Sequence, residues 1–144
     1  MRIGVIADTH GKLPERLVRE LRAADEIWHL GDFCDSKMLS AILAIGPVVR
    51  AVAGNNDIGL DLPEELEMED WGWRFRLVHI RPRELRCGEI LLCGHTHVPC
   101  DEVVGGARVL NPGTVGKPNK GSPPSWAWLR LTSDGSLEWE VNRI

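Results

Sequence analysis

The chain has 144 residues, 43% of them hydrophobic, and its 21 acidic and 17 basic residues give a formal net charge of -4. This length and composition predict a single domain over residues 1–144 with a hydrophobic core of its own. The acidic surplus argues against an extended nucleic acid as partner, because no basic excess is left to neutralise a phosphate backbone. No apolar run is long enough for a membrane-spanning helix, so we expect no membrane partner.

The N-terminus and the four cysteines indicate a reducing compartment. Residues 1–7 form a predicted strand and do not resemble the apolar region of a signal peptide, and the cysteines form no CxxC pair. We therefore expect a cytoplasmic protein. A zinc cluster of Cys87, Cys93 and Cys100 is an alternative use of the thiols, but Cys93 fits better as a small buried hydrophobe in an apolar strand.

The first part of the chain alternates between strands and helices. Residues 1–7, 26–30 and 48–53 are apolar runs typical of buried strands. Residues 13–23 and 36–45 have helical apolar spacing, with Pro14 in the first turn of one helix and Ser36 as the expected cap of the other. This order predicts a parallel βαβαβ unit.

After Pro63 the sequence is typical of β-structure. Short strands are predicted at residues 64–69, 73–79, 89–93, 101–104 and 107–111, and a hairpin joins residues 126–132 to 137–142. Between them, residues 111–125 are a loop rich in proline, glycine and lysine. Loops of that length in a compact domain are usually functional or disordered.

Polar side chains that bind metals follow five of these predicted strands. In open α/β sheets, ligands bind at the carboxyl ends of the strands, so we expect these side chains to meet at one rim. Residues two apart in an extended segment point to the same side, which would let each D-x-H or H-x-H pair face one cavity. The candidate metal ligands are Asp8, His10, Asp32, Asn55, His79, His95 and His97.

Two further polar residues have alternative interpretations. His29 alternates away from Asp32 along its strand, which favours a hydrogen-bonded core histidine over a ligand. Asp57 lies two residues after Asn55, where it could support a ligand or simply cap a turn.

The ordered motifs resemble those of the calcineurin-like metallophosphoesterase superfamily, in particular its small single-domain phosphodiesterase branch. The motifs are DTH at 8–10, GD at 31–32, GNND at 54–57, His79, GHTH at 94–97 and NPGT at 111–114. The resemblance extends from residue 1 to about residue 132, and the ordered set is far more specific than any one motif. It implies an α/β fold, a four-layer α/β/β/α sandwich of two mixed sheets flanked by helices.

The resemblance also implies a dinuclear metal site. One ion would be held by Asp8, His10, Asp32 and His97, and the other by Asp32, Asn55, His79 and His95, with Asp32 as the bridge. Two such ions make a bound water nucleophilic near neutral pH, and the hydroxide attacks phosphorus in line. The implied catalytic residues are Asp8, Asp32, Asn55 and His95.

The ligand types suit several divalent transition metals. Imidazole, carboxylate and amide donors bind manganese, iron, cobalt, nickel or zinc, and we favour manganese. Asn55 is a neutral ligand, which leaves more positive charge to stabilise the phosphoryl oxygens than a third carboxylate would.

The chain departs from the family pattern in three places. Asn56 occupies a position where many members that hydrolyse phosphomonoesters have a histidine that protonates the leaving group. Only residues 80–94 separate His79 from His95, so the usual helix there is expected to shrink to a turn or two around 82–85. Asn119 and Lys120 occupy positions where relatives often have an arginine that contacts phosphate.

These departures suggest where a substrate would bind. Arg81 lies close to His79 in sequence, Lys117 is on the long loop, and with Asn56 they are the candidate substrate contacts. Arg83, Arg86 and Lys120 would extend the same cationic rim. The alternative is that these side chains are ordinary solvated surface charges.

The predicted function is metal-dependent hydrolysis of phosphodiesters or other small phosphorylated compounds. A non-catalytic scaffold on the same fold is the alternative, because the retromer scaffold subunit resembles this branch and binds proteins. A homodimer is also predicted, since loss of the helix after His79 would leave an apolar face open. Ile80, Leu85, Trp126 and Trp128 are the residues expected at that interface. The alternative is that residues 81–88 fold over this face and leave a monomer.

Overall fold

The first sheet is built from the βαβαβ unit and the C-terminal hairpin. The computed structural model describes residues 1–118 and 121–144. The unit comprises β1 (Arg2–Ile6), α1 (Glu15–Leu21), β2 (Glu26–His29), α2 (Ser36–Leu43) and β3 (Val48–Ala51). Its strands are parallel, as predicted. The hairpin of β9 (Ser125–Leu131) and β10 (Leu137–Arg143) adds antiparallel to β1, giving the order β10-β9-β1-β2-β3.

The second sheet contains the strands between β3 and β9. They are β4 (Glu65–Asp70), β5 (Trp73–Val78), β6 (Ile90–Leu92), β7 (Cys100–Val104) and β8 (Ala107–Asn111), in the order β4-β5-β6-β8-β7. β5, β6 and β8 are parallel, and the outer two strands are antiparallel to their neighbours. Both sheets are therefore mixed, and the predicted sandwich of two mixed sheets is confirmed.

The core lies between the two sheets. Apolar side chains from both inner faces are fully buried there, among them Ile3 and Leu129 from the first sheet and Leu77 and Leu92 from the second. Trp28 packs edge to face on Phe75 across the sheets, with ring centroids 5.1 Å apart. This packing fixes the two sheets relative to each other and so sets the positions of the loops at their edges.

Both helices cover the outer face of the first sheet. Leu17 and Leu21 of α1 pack against Trp126 and Trp128, whose rings are 4% and 3% exposed. The expectation that these tryptophans are available at a homodimer interface is therefore wrong. Asp35 and not Ser36 caps α2, because its Oδ1 accepts the backbone N–H of Met38 at 2.8 Å. Neither helix in the described parts of the chain has the length and apolar composition needed to cross a bilayer.

The outer face of the second sheet is covered without a helix. Residues 80–89 form bends and a turn, so the one- or two-turn helix expected around 82–85 is absent from this described segment. Leu85 packs there on Val78, Leu91 and Val109, all of which are buried. The open apolar face that motivated the homodimer is thus filled by the chain itself, and the homodimer stays a prediction without that basis.

Candidate metal centre

Loops from both sheets converge at one edge of the sandwich. The loop after β1 carries Asp8 and His10, the loop after β2 carries Asp32, and the loop after β3 carries Asn55. From the second sheet, His79 follows β5, and His95 and His97 follow β6. The structure brings all seven side chains together, as expected for residues that follow the carboxyl ends of parallel strands.

The backbone at this edge differs from the extended conformation assumed for the paired ligands. Positive φ angles occur at Asp8 (53°), His10 (43°), Asp32 (64°), His95 (68°) and His97 (64°). The side chains of each pair are therefore aimed by left-handed turns and not by strand alternation, so the expected reason for their pairing is wrong. Non-glycine residues in this region are strained, and such strain is concentrated at functional sites.

Two glycines allow the loops to approach closely. A Cβ atom on Gly54 would lie 2.2 Å from Oδ1 of Asp32, and one on Gly31 would lie 2.8 Å from Nδ1 of His79. Gly31 also has a φ of 95°, which disfavours any side chain. The glycines of the GD and GNND motifs thus leave room for the neighbouring candidate ligands.

One group of ligand atoms surrounds Oδ1 of Asp8. This oxygen lies 3.2 Å from Nε2 of His97 and 3.7 Å from Nε2 of His10, and the two imidazole nitrogens are 3.3 Å apart. Nδ1 of His97 must donate to the carbonyl oxygen of Lys117, at 2.7 Å, because a carbonyl only accepts. In the neutral ring, Nε2 of His97 then presents a lone pair to the Asp8 oxygen.

The second group surrounds Nε2 of His79. Nδ1 of His79 donates to the carbonyl oxygen of Leu30 at 2.7 Å, so the Nε2 lone pair of the neutral ring faces inward. It lies 2.9 Å from Oδ1 of Asn55, 3.4 Å from Oδ2 of Asp32 and 3.8 Å from Oδ1 of Asp8. Nδ1 of His95 lies 3.2 Å from the same Asn55 oxygen.

In both groups, lone pairs of imidazole nitrogens face carboxylate or amide oxygens. A bound cation would remove the repulsion between these atoms. Oδ1 of Asp8 is buried and has no hydrogen-bond partner among the described residues. It belongs to both sets of atoms close enough to share an ion, one with His10 and His97 and the other with Asp32 and His79. Carboxylate oxygens and neutral imidazole nitrogens are ligands for divalent transition metals. The donor set therefore fits metal ions.

The pKa values of these side chains also fit a metal site. Burial and the nearby charge of Asp32 raise the pKa of Asp8 to about 8. Burial lowers the pKa of His10, His79 and His97 below the ordinary value, so these rings are neutral near pH 7. A divalent cation would reverse the effect on Asp8, because it favours the ionised carboxylate.

Asn56 holds Asp32 in place. Its backbone N–H donates to Oδ1 of Asp32 at 3.0 Å, and its side-chain amide donates to Oδ2 at 2.8 Å. Burial alone would raise the pKa of Asp32, but these two hydrogen bonds and the nearby histidines bring it below the ordinary value. Asn56 thus favours the ionised form of the carboxylate that lies between the two groups.

Asp57 holds the loop after β2 and the loop after β3 together. Its carboxylate accepts the backbone N–H groups of Asp32 at 2.8 Å, Cys34 at 2.9 Å and Gly54 at 2.7 Å. Of the two roles considered for Asp57, the structure favours support of a candidate ligand over the capping of an isolated turn. The buried carboxylate ties the loop after β2 to the loop after β3.

His29 is a core histidine, as its position on the strand predicts. It is fully buried, stacks on Phe33 with centroids 3.6 Å apart, and accepts the N–H of Gly31 at Nδ1. Nε2 therefore donates to Oγ1 of Thr9 at 3.2 Å. This pair connects the loop that carries Asp8 to the loop that carries Asp32.

The predicted substrate contacts have different surroundings. Arg81 forms an ion pair with Glu102, so its charge is already partnered. Lys117 lies near the site, because its backbone carbonyl oxygen accepts a hydrogen bond from Nδ1 of His97 at 2.7 Å. Asn119 and Lys120 lie outside the described residues.

Sequence reasoning missed two sets of contacts. Sγ of Cys34 lies 3.2 Å from Nδ1 of His10, and only the position of Cys34 two residues after Asp32 hinted at this. The NPGT motif joins the loops: Asn111 donates to the carbonyl oxygen of Gly94, and Thr114 donates to that of Asp8. The sequence pattern alone does not indicate these contacts.

The cysteines form no metal cluster in the described parts of the chain. All four are free thiols, and no candidate metal group there contains one. Cys93 is buried among apolar side chains, as expected for a small hydrophobe.

Residues 1–134 match the sequence-family model of the calcineurin-like phosphoesterase superfamily domain. The chain belongs to this superfamily. A probable metallophosphoesterase of Methanothermobacter thermautotrophicus is 31% identical, over 99% of this chain and 92% of that protein. The superfamily and this relative support phosphoester hydrolysis and a requirement for divalent metal ions.

Solved structures agree with this assignment. YfcE, a phosphoesterase from E. coli, is similar with a TM-score of 0.79 and 25% identity, over 97% of this chain and 98% of that one. Vps29 from Entamoeba histolytica, solved in complex with zinc, has a TM-score of 0.76 and 21% identity, over 99% and 98% of the two chains. At that identity the likeness to Vps29 shows the fold alone.

Proposed function

We propose that this protein is a metal-dependent phosphodiesterase with a dinuclear metal site. The observation that carries the proposal is the buried, unpartnered Oδ1 of Asp8, which the lone pair of His97 faces at 3.2 Å. An uncompensated buried carboxylate is costly, and a bound cation removes that cost. Manganese is the preferred metal, with iron, nickel, cobalt and zinc as alternatives.

Each side chain has a distinct part in this proposal. Asp8, His10 and His97 would hold one ion, and Asn55, His79 and His95 the other. Asp32 would bridge them, because its Oδ2 lies 3.5 Å from Nε2 of His10 and 3.4 Å from Nε2 of His79. When bound, such ions supply positive charge for the phosphoryl oxygens and lower the pKa of water.

The surrounding residues control charge and protons. Asn56 keeps Asp32 ionised and in position, and its amide has no proton to give to a leaving alcohol. The alcohol must therefore take its proton from water or from another side chain. Lys117 adds a positive charge on the side of His10 and His97, which suits an anionic phosphodiester.

Elemental analysis combined with an activity assay tests the proposal. Protein loaded with manganese should bind up to two ions per chain and hydrolyse bis(p-nitrophenyl) phosphate. His97→Ala should bind less metal and lose activity by about 100-fold, because both Asp8 and its partner imidazole contribute to the same ion. Full occupancy and activity in His97→Ala, with the fold verified by circular dichroism, would contradict it.

A non-catalytic scaffold is the second candidate. It is supported by the rebuilt surface at residues 80–89, where Ile80 is 53% exposed and no helix is present. Retention of all seven candidate ligands favours the enzyme. Metal-dependent turnover that disappears in His97→Ala would decide for the enzyme, whereas metal binding without turnover on any phosphoester would favour the scaffold.

A further inference from the structure

A groove runs beside the candidate metal centre on the side of Asn55 and His79. Its volume is about 400 Å³, and its walls come from residues 53–55, from 64–65 at the start of β4, and from 78–80 and Pro82 at and after the end of β5. Cavities of about 300–1,000 Å³ accommodate small organic ligands. Because two candidate metal ligands line it, a phosphate held at the metals would have the groove directly beside it.

The lining of the groove is apolar and acidic. Val78, Ile80 and Pro82 supply the apolar surface, and Glu64 and Glu65 supply carboxylates. Glu65 has Arg86 at 3.9 Å, whereas Glu64 has no ion-pair or hydrogen-bond partner in the described parts of the chain. No lysine or arginine among the described residues lines the groove. Negative charge is therefore disfavoured there.

The opposite side of the centre has the opposite charge. The backbone carbonyl oxygen of Lys117 accepts a hydrogen bond from Nδ1 of His97 at 2.7 Å, and neither residue lines the groove. The site is thus polarised, with a cation on one side and apolar surface with carboxylates on the other. A phosphoester bound at the metals would keep its anionic oxygens towards the metals and Lys117.

We propose that this groove binds the organic group of the phosphoester and selects neutral or cationic groups over anionic ones. The inference rests on the proposed function, since it requires the phosphate to sit at the metal centre. The substrate class is then a phosphoester of an apolar or positively charged alcohol. Esters whose organic part carries further phosphates or carboxylates are disfavoured.

Calorimetric binding to manganese-loaded protein tests this with four phosphomonoesters that share one phosphate. Methyl phosphate lacks a group for the groove, phosphocholine is cationic, 3,3-dimethylbutyl phosphate is its neutral isostere, and 3-carboxypropyl phosphate is anionic. We expect the neutral and cationic esters to bind about tenfold more tightly than methyl phosphate, through burial of several carbon atoms. The anionic ester should bind no more tightly than methyl phosphate.

Matched variants locate the effect. Glu64→Lys should reverse the preference between phosphocholine and 3-carboxypropyl phosphate, whereas Glu69→Lys, with the same charge change on β4 but outside the groove, should leave it unchanged. Ile80→Asp should remove the advantage of the dimethylbutyl ester over methyl phosphate. Val103→Asp is its control, because Val103 is 75% exposed and does not line the groove.

The outcomes separate this inference from the function on which it rests. Binding of methyl phosphate with equal affinities for all four esters would overturn the role of the groove and leave the phosphate site intact. A preference that Glu69→Lys reverses as strongly as Glu64→Lys would also overturn it. No binding of methyl phosphate to the manganese-loaded protein would overturn both proposals.

Discussion

Nε2 of His97 lies 3.2 Å from Oδ1 of Asp8, although the two residues come from loops of different sheets. His97 uses its proton on the carbonyl oxygen of Lys117, so once Asp8 is ionised neither atom carries a proton for the other. In the metal-free protein the pair is therefore unfavourable above about pH 8, where Asp8 loses its proton. A site that is unfavourable when empty and satisfied when loaded couples metal binding to stability.

Asp8→Asn should stabilise the metal-free protein while removing metal binding and activity. The amide is uncharged beside Asp32 and can donate a proton towards Nε2 of His97. We expect the free energy of unfolding to rise by about 1–3 kcal/mol at pH 8, as measured by urea unfolding in the presence of a chelator. Asp61→Asn, an exposed site, should change little.

The advantage of Asp8→Asn should also depend on pH. The pKa of Asp8 is raised to about 8, so between about pH 4 and pH 8 the folded protein holds a proton that the unfolded chain has lost. The contribution of Asp8 to the stability of the metal-free wild type therefore falls as pH rises through that window, and the variant should gain more at pH 8 than at pH 5. If the stabilities of the variant and wild type differed equally at pH 5 and pH 8, the raised pKa of Asp8 would be contradicted.

Acidification should destabilise the protein through His29. Burial holds the pKa of His29 well below the ordinary value of 6.5, so below pH 6.5 the unfolded chain binds a proton that the folded protein does not. Between pH 7 and pH 5 this costs up to about 2 kcal/mol. His29→Gln can accept from Gly31 and donate to Thr9, and its metal-free form should lose correspondingly less stability than wild type over that range in urea titrations.

Activated phosphodiesters should be hydrolysed much faster than alkyl ones. Asn56 cannot protonate the leaving group, and its amide is occupied by Asp32, so we expect charge to develop on the leaving oxygen. The rate should fall steeply as the leaving-group pKa rises across a series of aryl and alkyl esters. Asn56→His should flatten the slope relative to Asn56→Ala, which lacks the same amide bond to Asp32. A flat wild-type dependence, with chemistry rate-limiting, would count against this.

Modification of Cys34 by N-ethylmaleimide should weaken metal binding by about 10–100-fold. The thiol is exposed and contacts Nδ1 of His10, so a bulky adduct would displace that ring. Burial and the charge of Asp32 raise the pKa of Cys34, so the labelling is best done at pH 8 or above. Cys34→Ser should be insensitive to the reagent, whereas Cys87→Ser, which removes the other exposed thiol, should respond like wild type.

The sequence patterns by themselves determined the parallel βαβαβ unit, the β-rich second part and the group of seven side chains after the strands, whereas the two mixed sheets were implied by the family resemblance. Apolar runs that end in glycine, aspartate, asparagine or histidine are local signals, because strand propensity and turn chemistry act over a few residues. The positions of Asp32, Asn55 and His79, each after the end of a strand, could therefore be predicted from the sequence.

Only the tertiary structure decided how these side chains are aimed and held. The left-handed turn at His97, the support of Asp32 by Asp57 and the contact of Cys34 with His10 depend on loops far apart in sequence. The covering of the second sheet by Leu85, in place of a helix, also depends on contacts between distant parts of the sequence. Such features follow from which loops meet in space, and no local pattern of residues encodes that meeting.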